Sequence, residues 1–334
     1  MQSRIKIIAL VSVGLLFYIL VAVTIYYLNY SNTSNTSKQS ISIEKVTIDI
    51  PIKIIAVGDI SCDPASQYAS GANPAKCQDA KVAASIAKIN PEKVLLLGDN
   101  QYDNGSLDKY IKAFGKNWGQ FTDTILPSPG NHEYITANAS GYFDYFNGVG
   151  LPSGVAGNRN QGFYKTSVGN WSIYSLNSNC KSIGGCEPGS PEYVWLESEL
   201  AEDKSVCKLA FWHHPIVSSS EHGVQPEETS RMLSIYNLLD SNKTTLVLNG
   251  HDHVYERFAP QNNQGVATTD GIRQFTVGTG GKDLYKKLST RFNSEFFDNT
   301  NFGYLELSLS AKSYQWRFNN ISDSTIDSGS GVCR

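Results

Sequence analysis

The sequence predicts an α/β domain with a largely parallel sheet, carried behind an N-terminal transmembrane helix. Three observations predict it. Apolar, β-rich runs alternate with helix-like patterns between Ile52 and His253, an alternation that builds parallel strands joined by crossover helices. Five of those runs end in Asp, Asn or His. A long apolar stretch without a charged residue stands near the N-terminus.

That stretch comes first in chain order. Arg4 and Lys6 precede an apolar run from Ile7 to Leu28. At about 1.5 Å per residue it spans a hydrocarbon core of roughly 30 Å. It exceeds the apolar region of a signal peptide, and no clear small-residue cleavage site follows it. Positive charge on its N-terminal side keeps that end cytoplasmic. The expectation is a signal anchor over residues 1–30 with the rest of the chain outside the cytoplasm; a cleaved signal peptide and a secreted protein are the alternative. The polar tract "NYSNTSNTSKQS" reads as a flexible tether, taken as residues 31–42. The folded domain is then expected over 43–334.

The chain has 334 residues, 40% hydrophobic and 18% charged, enough for one large core or two modest ones. A net charge of −3 without a dense Lys/Arg stripe argues against a nucleic-acid partner. The six cysteines are Cys62, Cys77, Cys180, Cys186, Cys207 and Cys333. Their even number suits an oxidising compartment. Six cysteines allow fifteen pairings; proximity in sequence favours Cys62–Cys77 and Cys180–Cys186, leaving Cys207–Cys333. A thiolate metal site is the rival reading, weakened by the absence of any C-x-x-C pair.

The five apolar runs are "IKIIAVGD", "KVLLLGDN", "TILPSPGNHE", "KLAFWHHP" and "TTLVLNGHDH". Helix-like patterns lie between them: "QDAKVAASIAKI", "SLDKYIKAFGKNW", "PEYVWLESELAED" and "TSRMLSIYNLLD". "GFYKTSVGNWSIYSLNS" reads as a hairpin with a Gly-Asn turn. "GIRQFTVGTG", "FGYLELSLS" and "KSYQWRFNN" alternate like antiparallel strands.

The runs end at Asp59, at Asp99, at Asn131 and His132, at His213 and His214, and at His251 and His253. Open α/β sheets bind ligands at the carboxyl ends of their strands, so five such ends can converge on one crevice. Any one of them is readily a polar turn. Five in series, holding five of the six histidines, are not.

The order "GDI", "GDNQY", "GNHE", "FWHHP", "GHDH" resembles the calcineurin-like metallophosphoesterases, and within them the purple acid phosphatases. The resemblance covers Ile52 to Phe258 by motif. It implies a two-sheet β-sandwich flanked by helices in four layers, with a centre of two metal ions. Carried over by motif, Asp59, Asp99, Tyr102 and His253 hold the first metal. Asp99, Asn131, His213 and His251 hold the second, with Asp99 bridging. In "HHP" the first histidine takes the ligand position; His214 as ligand is the alternative. One departure is Ser61, where the family pattern G-D-x-G has glycine, which bears on the shape of the loop from Ser61 to Pro64.

Two metals about 3.5–4 Å apart hold a nucleophilic water and neutralise charge on both attacking and leaving oxygens of a phosphate ester. A phenol must lose a proton of pKa about 10 to ligate, so Tyr102 points to Fe(III) at the first site. Imidazole and amide donors suit Zn, Mn or Fe(II) at the second. Tyr102 packed beneath the loop is the plainer alternative.

His132 is the expected general acid towards the leaving oxygen, with Glu133 orienting it. His214 and His222 are candidate substrate contacts, His222 alternatively a solvated loop residue. Asp252 is expected to point away. The resemblance thus implies an exported, membrane-tethered phosphatase hydrolysing small phosphate monoesters by attack of a metal-bound hydroxide. A phosphodiesterase on the same scaffold and a non-catalytic membrane-anchored binding protein are the alternatives.

Overall fold

The computed structural model describes residues 50–66 and 73–334, together with Ala22 and Thr24. The chain divides into two units, Met1–Ile48 and Asp49–Arg334. Apart from Ala22 and Thr24, the expected transmembrane helix and tether lie outside the described residues. Among the described residues no helix is long and apolar enough to cross a membrane.

The first three apolar runs form β1 (Ile52–Val57), β2 (Lys93–Leu97) and β3 (Ile125–Ser128). A two-residue ladder of β4 (Ser153–Gly154) and β5 (Gly157–Asn158) precedes the predicted hairpin, β6 (Tyr164–Val168) and β7 (Trp171–Ser175). The remaining two runs form β8 (Cys207–Phe211) and β9 (Leu246–Asn249). The C-terminal third supplies β10 (Tyr255–Phe258), β11 (Arg273–Val277), β12 (Ser294–Asp298), β13 (Gly303–Leu309), β14 (Ser313–Asn320) and β15 (Thr325–Val332). One sheet runs β15-β14-β13-β1-β2-β3, the other β12-β10-β11-β9-β8-β7-β6. The strands that carry the motifs are parallel neighbours within each sheet: β1 with β2, β2 with β3, and β8 with β9.

Alternation along the strands explains the layers. Ile54 and Ala56 of β1 face the other sheet, where Leu209, Phe211 and Leu248 meet them. Ile55 and Val57 face outwards. They pack on helix α1 (Asp79–Ala87), on a helical run from Leu107 to Trp118, and on α2 (Ser140–Asn147). The second sheet does the same. Ala210, Trp212 and Val247 turn outwards onto α3 (Pro191–Glu202) and, beyond the short α4 (Pro226–Ser230), α5 (Leu233–Ser241). Helix, sheet, sheet, helix is the expected four-layer order, and each fully buried Leu, Ile or Val contributes roughly 1.5–3 kcal/mol to it.

Two local expectations need correction. β11 was grouped with the antiparallel strands and does pair antiparallel with β10, Tyr255 opposite Val277, but it inserts between β10 and β9 and its other edge pairs parallel with β9, Arg273 opposite Leu246. The loop from Ala259 to Ile272 returns the chain to the starting end of β9, which sets that direction. The helix expected over "TSRMLSIYNLLD" breaks between Ser230 and Leu233, where the Arg231 guanidinium turns to His214 Nε2 at 3.3 Å.

The disulfides are Cys62–Cys77, Cys180–Cys186 and Cys207–Cys333. The last joins partners 126 residues apart; loop-closure arithmetic gives it about 4–5 kcal/mol. Three disulfides suggest an extracellular or secreted protein.

Candidate metal centre

Parallel pairing brings the carboxyl ends of β1 and β2 to one edge, and the pairing continues past them. Asp59 N–H donates to Gly98 O, Ile60 N–H to Asp99 O and Ser61 N–H to Asn100 O, at 2.9–3.1 Å. Within this ladder Asp59 and Asp99 take left-handed φ of 60° and 49°, and His251 across the crevice takes 70°. Such angles are uncommon without glycine, and three around one crevice mark a functional loop cluster. Ser61 does not share that geometry. It forms a parallel bridge to Gln101, and its hydroxyl donates to Asp79. Pairing therefore holds the first loop without the glycine. Glycines are needed elsewhere: a Cβ on Gly98 (φ 87°) would lie 2.6 Å from His213 Nδ1, and one on Gly130 would collide with the Asp99 carboxylate.

The predicted donors meet in two sets. In the first, Tyr102 Oη lies 3.0 Å from Asp59 Oδ1, 3.1 Å from Asp99 Oδ2 and 3.0 Å from His253 Nε2. In the second, His213 Nε2 lies 3.3 Å from the same Asp99 Oδ2, 3.0 Å from Asn131 Oδ1 and 3.1 Å from His251 Nδ1. Asp59, Asp99, Tyr102, His213, His251 and His253 are all buried.

Hydrogen counting shows what these sets fit. His213 Nδ1 donates to Leu97 O at 2.8 Å, and His253 Nδ1 to Asp283 O at 2.7 Å. In the neutral rings both Nε2 atoms then carry lone pairs. His213 Nε2 aims its lone pair at two acceptor oxygens. Tyr102 has one hydrogen for three acceptors. Buried lone pairs facing one another call for cations, and hard oxygen with imidazole donors suits the metals named above. His251 Nε2 is buried without a hydrogen-bond partner, its nearest carboxylate being Glu228 at 3.6 Å.

The electrostatics agree. Burial opposes ionisation of Asp99, yet His213 and His132 hold it well below the usual carboxylate range. Burial also opposes charging His213, but Asp99 lifts it to about 9: a proton takes the place of a cation. Burial, with Asp59 and Asp99, pushes the Tyr102 phenol far up, so ligation there demands a strong Lewis acid.

The remaining candidates fall around the mouth. His132 is part-exposed, its Nδ1 2.5 Å from Asp103 O and its Nε2 3.8 Å from Asp99 Oδ2. Glu133 was expected to orient it and does not. Its buried carboxylate instead accepts the N–H groups of Asp99, Asn100, Gln101 and Gly130 and the Tyr110 hydroxyl, tying the second and third strand ends together. His214 is buried behind His251, with Nδ1 2.7 Å from Ser178 Oγ and Nε2 3.3 Å from Arg231. His222 lies against His251, ring centres 3.9 Å apart and tilted by 34°. Asp252, expected to point away, accepts both the N–H and Nδ1–H of His222 at 3.0 Å.

Sequence reasoning missed Tyr285, stacked on His253 at 3.9 Å and 11°, and Glu228 beside His251. Neither belongs to a strand-end motif, and no periodicity marks either stretch.

This fold and this site together define a class, the metal-dependent phosphoester hydrolases. Within it the chain belongs to the calcineurin-like phosphoesterase family, whose family model matches residues 52–255. Among curated proteins it is similar to purple acid phosphatase 15 of Arabidopsis thaliana, 26% identical over 196 residues, covering 50% of this chain and 36% of that one. It is 25% identical over 322 residues to probable purple acid phosphatase 20 of the same plant, covering 90% of this chain and 68% of the relative. The chain thus spans about a third of one relative's length and two thirds of the other's. Among solved structures, a purple acid phosphatase from yellow lupin seeds shares the fold with a TM-score of 0.66 at 20% identity, over 84% of this chain and 53% of that one. Phosphatases of this kind use a dinuclear metal centre.

Proposed function

We propose that residues 43–334 form a phosphomonoesterase with two metal ions, Fe(III) held by Asp59, Asp99, Tyr102 and His253, and Zn, Mn or Fe(II) held by Asp99, Asn131, His213 and His251. The observation that carries this reading is the single oxygen, Asp99 Oδ2, that lies 3.1 Å from Tyr102 Oη in one donor set and 3.3 Å from His213 Nε2 in the other. Residues 1–30 anchor the domain to a membrane through the tether 31–42, with the catalytic domain outside the cytoplasm.

Bound there, the two ions supply a nucleophilic water and offset the charge of the phosphoryl group. The chain does the rest. Glu133 holds the loops of Asp99 and Asn131 at a fixed separation. His132, with Nδ1 engaged by Asp103 O, turns Nε2 into the crevice and gives its proton to the leaving oxygen. Asp252 fixes the His222 ring so that Nε2 faces a phosphoryl oxygen. His214 supports that side from behind, through His251 and Arg231.

Metal analysis with a visible spectrum of the purified protein is the test. Two metals per chain, and a phenolate–Fe(III) band that Tyr102→Phe abolishes, are expected, with 4-nitrophenyl phosphate turned over faster than bis(4-nitrophenyl) phosphate. Metal-free protein whose turnover survives Asp99→Asn would overturn the reading; faster diester turnover would move it to a phosphodiesterase.

A further inference from the structure

The segment after Gly281 grips the first donor set from its open side. Asp283 O accepts the Nδ1–H of His253 at 2.7 Å, and Tyr285 N–H donates to His253 O at 3.0 Å. The Tyr285 ring then lies flat on the His253 ring, 3.9 Å away and 11° from parallel. Its other neighbour is His222, with ring centres 5.6 Å apart. Tyr285 thus stands between a proposed ligand of the first metal and the rim histidine held by Asp252. The rings of His132, Tyr102, His253, Tyr285, His222 and His251 run as one wall around the crevice, each within 6 Å of the next.

Most polar groups on that wall are engaged. Tyr102 Oη contacts Asp59, Asp99 and His253, and His222 Nδ1 is taken by Asp252. The Tyr285 hydroxyl makes no hydrogen bond among the described residues, although the residue is mostly covered, and it feels the charge of Asp59 and Asp99. A half-buried phenol fixed by stacking on His253, with no hydrogen bond of its own among the described residues, is a preorganised donor. Stacking costs it little entropy on binding, since two torsions are already set.

We propose that Tyr285 is a substrate-binding residue: its hydroxyl donates to a non-reacting oxygen of the bound phosphoryl group, while its ring holds His253 in place. This rests on the reading of the crevice as a phosphate-binding metal centre. The two roles separate by substitution. Tyr285→Phe keeps the stack and removes the donor; Tyr285→Leu removes both.

The experiment measures orthophosphate binding to the metal-loaded full chain by calorimetry, metal content after dialysis, and KM and kcat on 4-nitrophenyl phosphate. For Tyr285→Phe we expect unchanged metal content and kcat, with phosphate Kd and KM each raised about ten- to one-hundred-fold, the loss of one hydrogen bond to a charged group. For Tyr285→Leu we expect the same weakening together with faster metal loss on dialysis. Wild-type protein that binds phosphate as expected, with Tyr285→Phe indistinguishable from it, would overturn the proposal and leave the metal centre standing. Wild-type protein that holds no metal and binds no phosphate would overturn the metal centre and this proposal with it.

Discussion

Glu192 offers a test of how burial sets the pH dependence of this fold. Its side chain is fully buried at the start of α3. One carboxylate oxygen accepts Asn177 N–H at 2.6 Å, and the other lies 3.5 Å from Cys186 Sγ, which is in a disulfide and has no hydrogen to give. Burial therefore pushes this acid from 4.5 up to about 8, against the one backbone hydrogen bond. A group whose folded pKa is raised stabilises the fold fully below its unfolded value, and that contribution is lost as pH rises towards the folded value. Between pH 5 and pH 7 wild-type protein should lose up to about 2.7 kcal/mol through this residue, two units at about 1.36 kcal/mol each. Relaxation of the surrounding loop brings the expectation to about 1.5–2.5 kcal/mol. Glu192→Gln imitates the neutral acid, keeps the acceptor for Asn177, and should be flat over the same range. Urea unfolding followed by tryptophan fluorescence at pH 5, 6, 7 and 8 reads the difference. A variant that gains on wild type as pH rises supports the reasoning; a constant gap, or one that moves the other way, refutes it. The site should feel the same change. Next to Asn177, Ser178 Oγ bonds His214, and Asn179 Nδ2 donates to Pro129 O and Gly130 O, so ionised Glu192 strains the strap between two strand ends.

Two substitutions probe the centre more directly. Glu133→Ala strips the acceptor from four backbone N–H groups and the Tyr110 hydroxyl; we expect a loss of about 3–5 kcal/mol in urea unfolding and weakened metal retention by elemental analysis. Gly98→Ala forces a side chain into left-handed backbone and against His213 Nδ1; about 2–3 kcal/mol of stability and most of the bound metal should go, with wild-type behaviour refuting the close-approach argument.

The fold was legible in sequence where burial is periodic. In β1 successive side chains enter different layers, and because both layers are apolar, "KVLLL" and "LVLN" read as continuous apolar runs, the pattern of strands buried on both faces. The direction of β11 was not legible, because "RQFTV" has the same pattern whether its neighbour runs with it or against it. The antiparallel pairing with β10 continues through Gln261 and Ile272, but nothing local shows that the other edge of β11 meets β9. The break at Arg231 escaped for a similar reason: the periodicity of "TSRMLSIYNLLD" is helical throughout, and the contact that diverts Arg231 is with His214, 17 residues away.

The donors around Asp99 were legible because each stands two to five residues beyond a strand whose position the apolar run already sets. What organises them was not, because it reaches across loops. Glu133 is three residues from Gly130 yet acts mainly on Asp99, Asn100 and Gln101, more than 30 residues earlier. Asp252, flanked by two donors, serves a histidine 30 residues upstream. Tyr285 meets His253 through the loop after Gly281, a stretch with no period and no motif. Side chains that bind a metal must be aimed by backbone, and backbone direction follows local pattern. Those that hold a binding side chain in place need only be near it in space. A single sequence therefore names the former readily and the latter hardly at all.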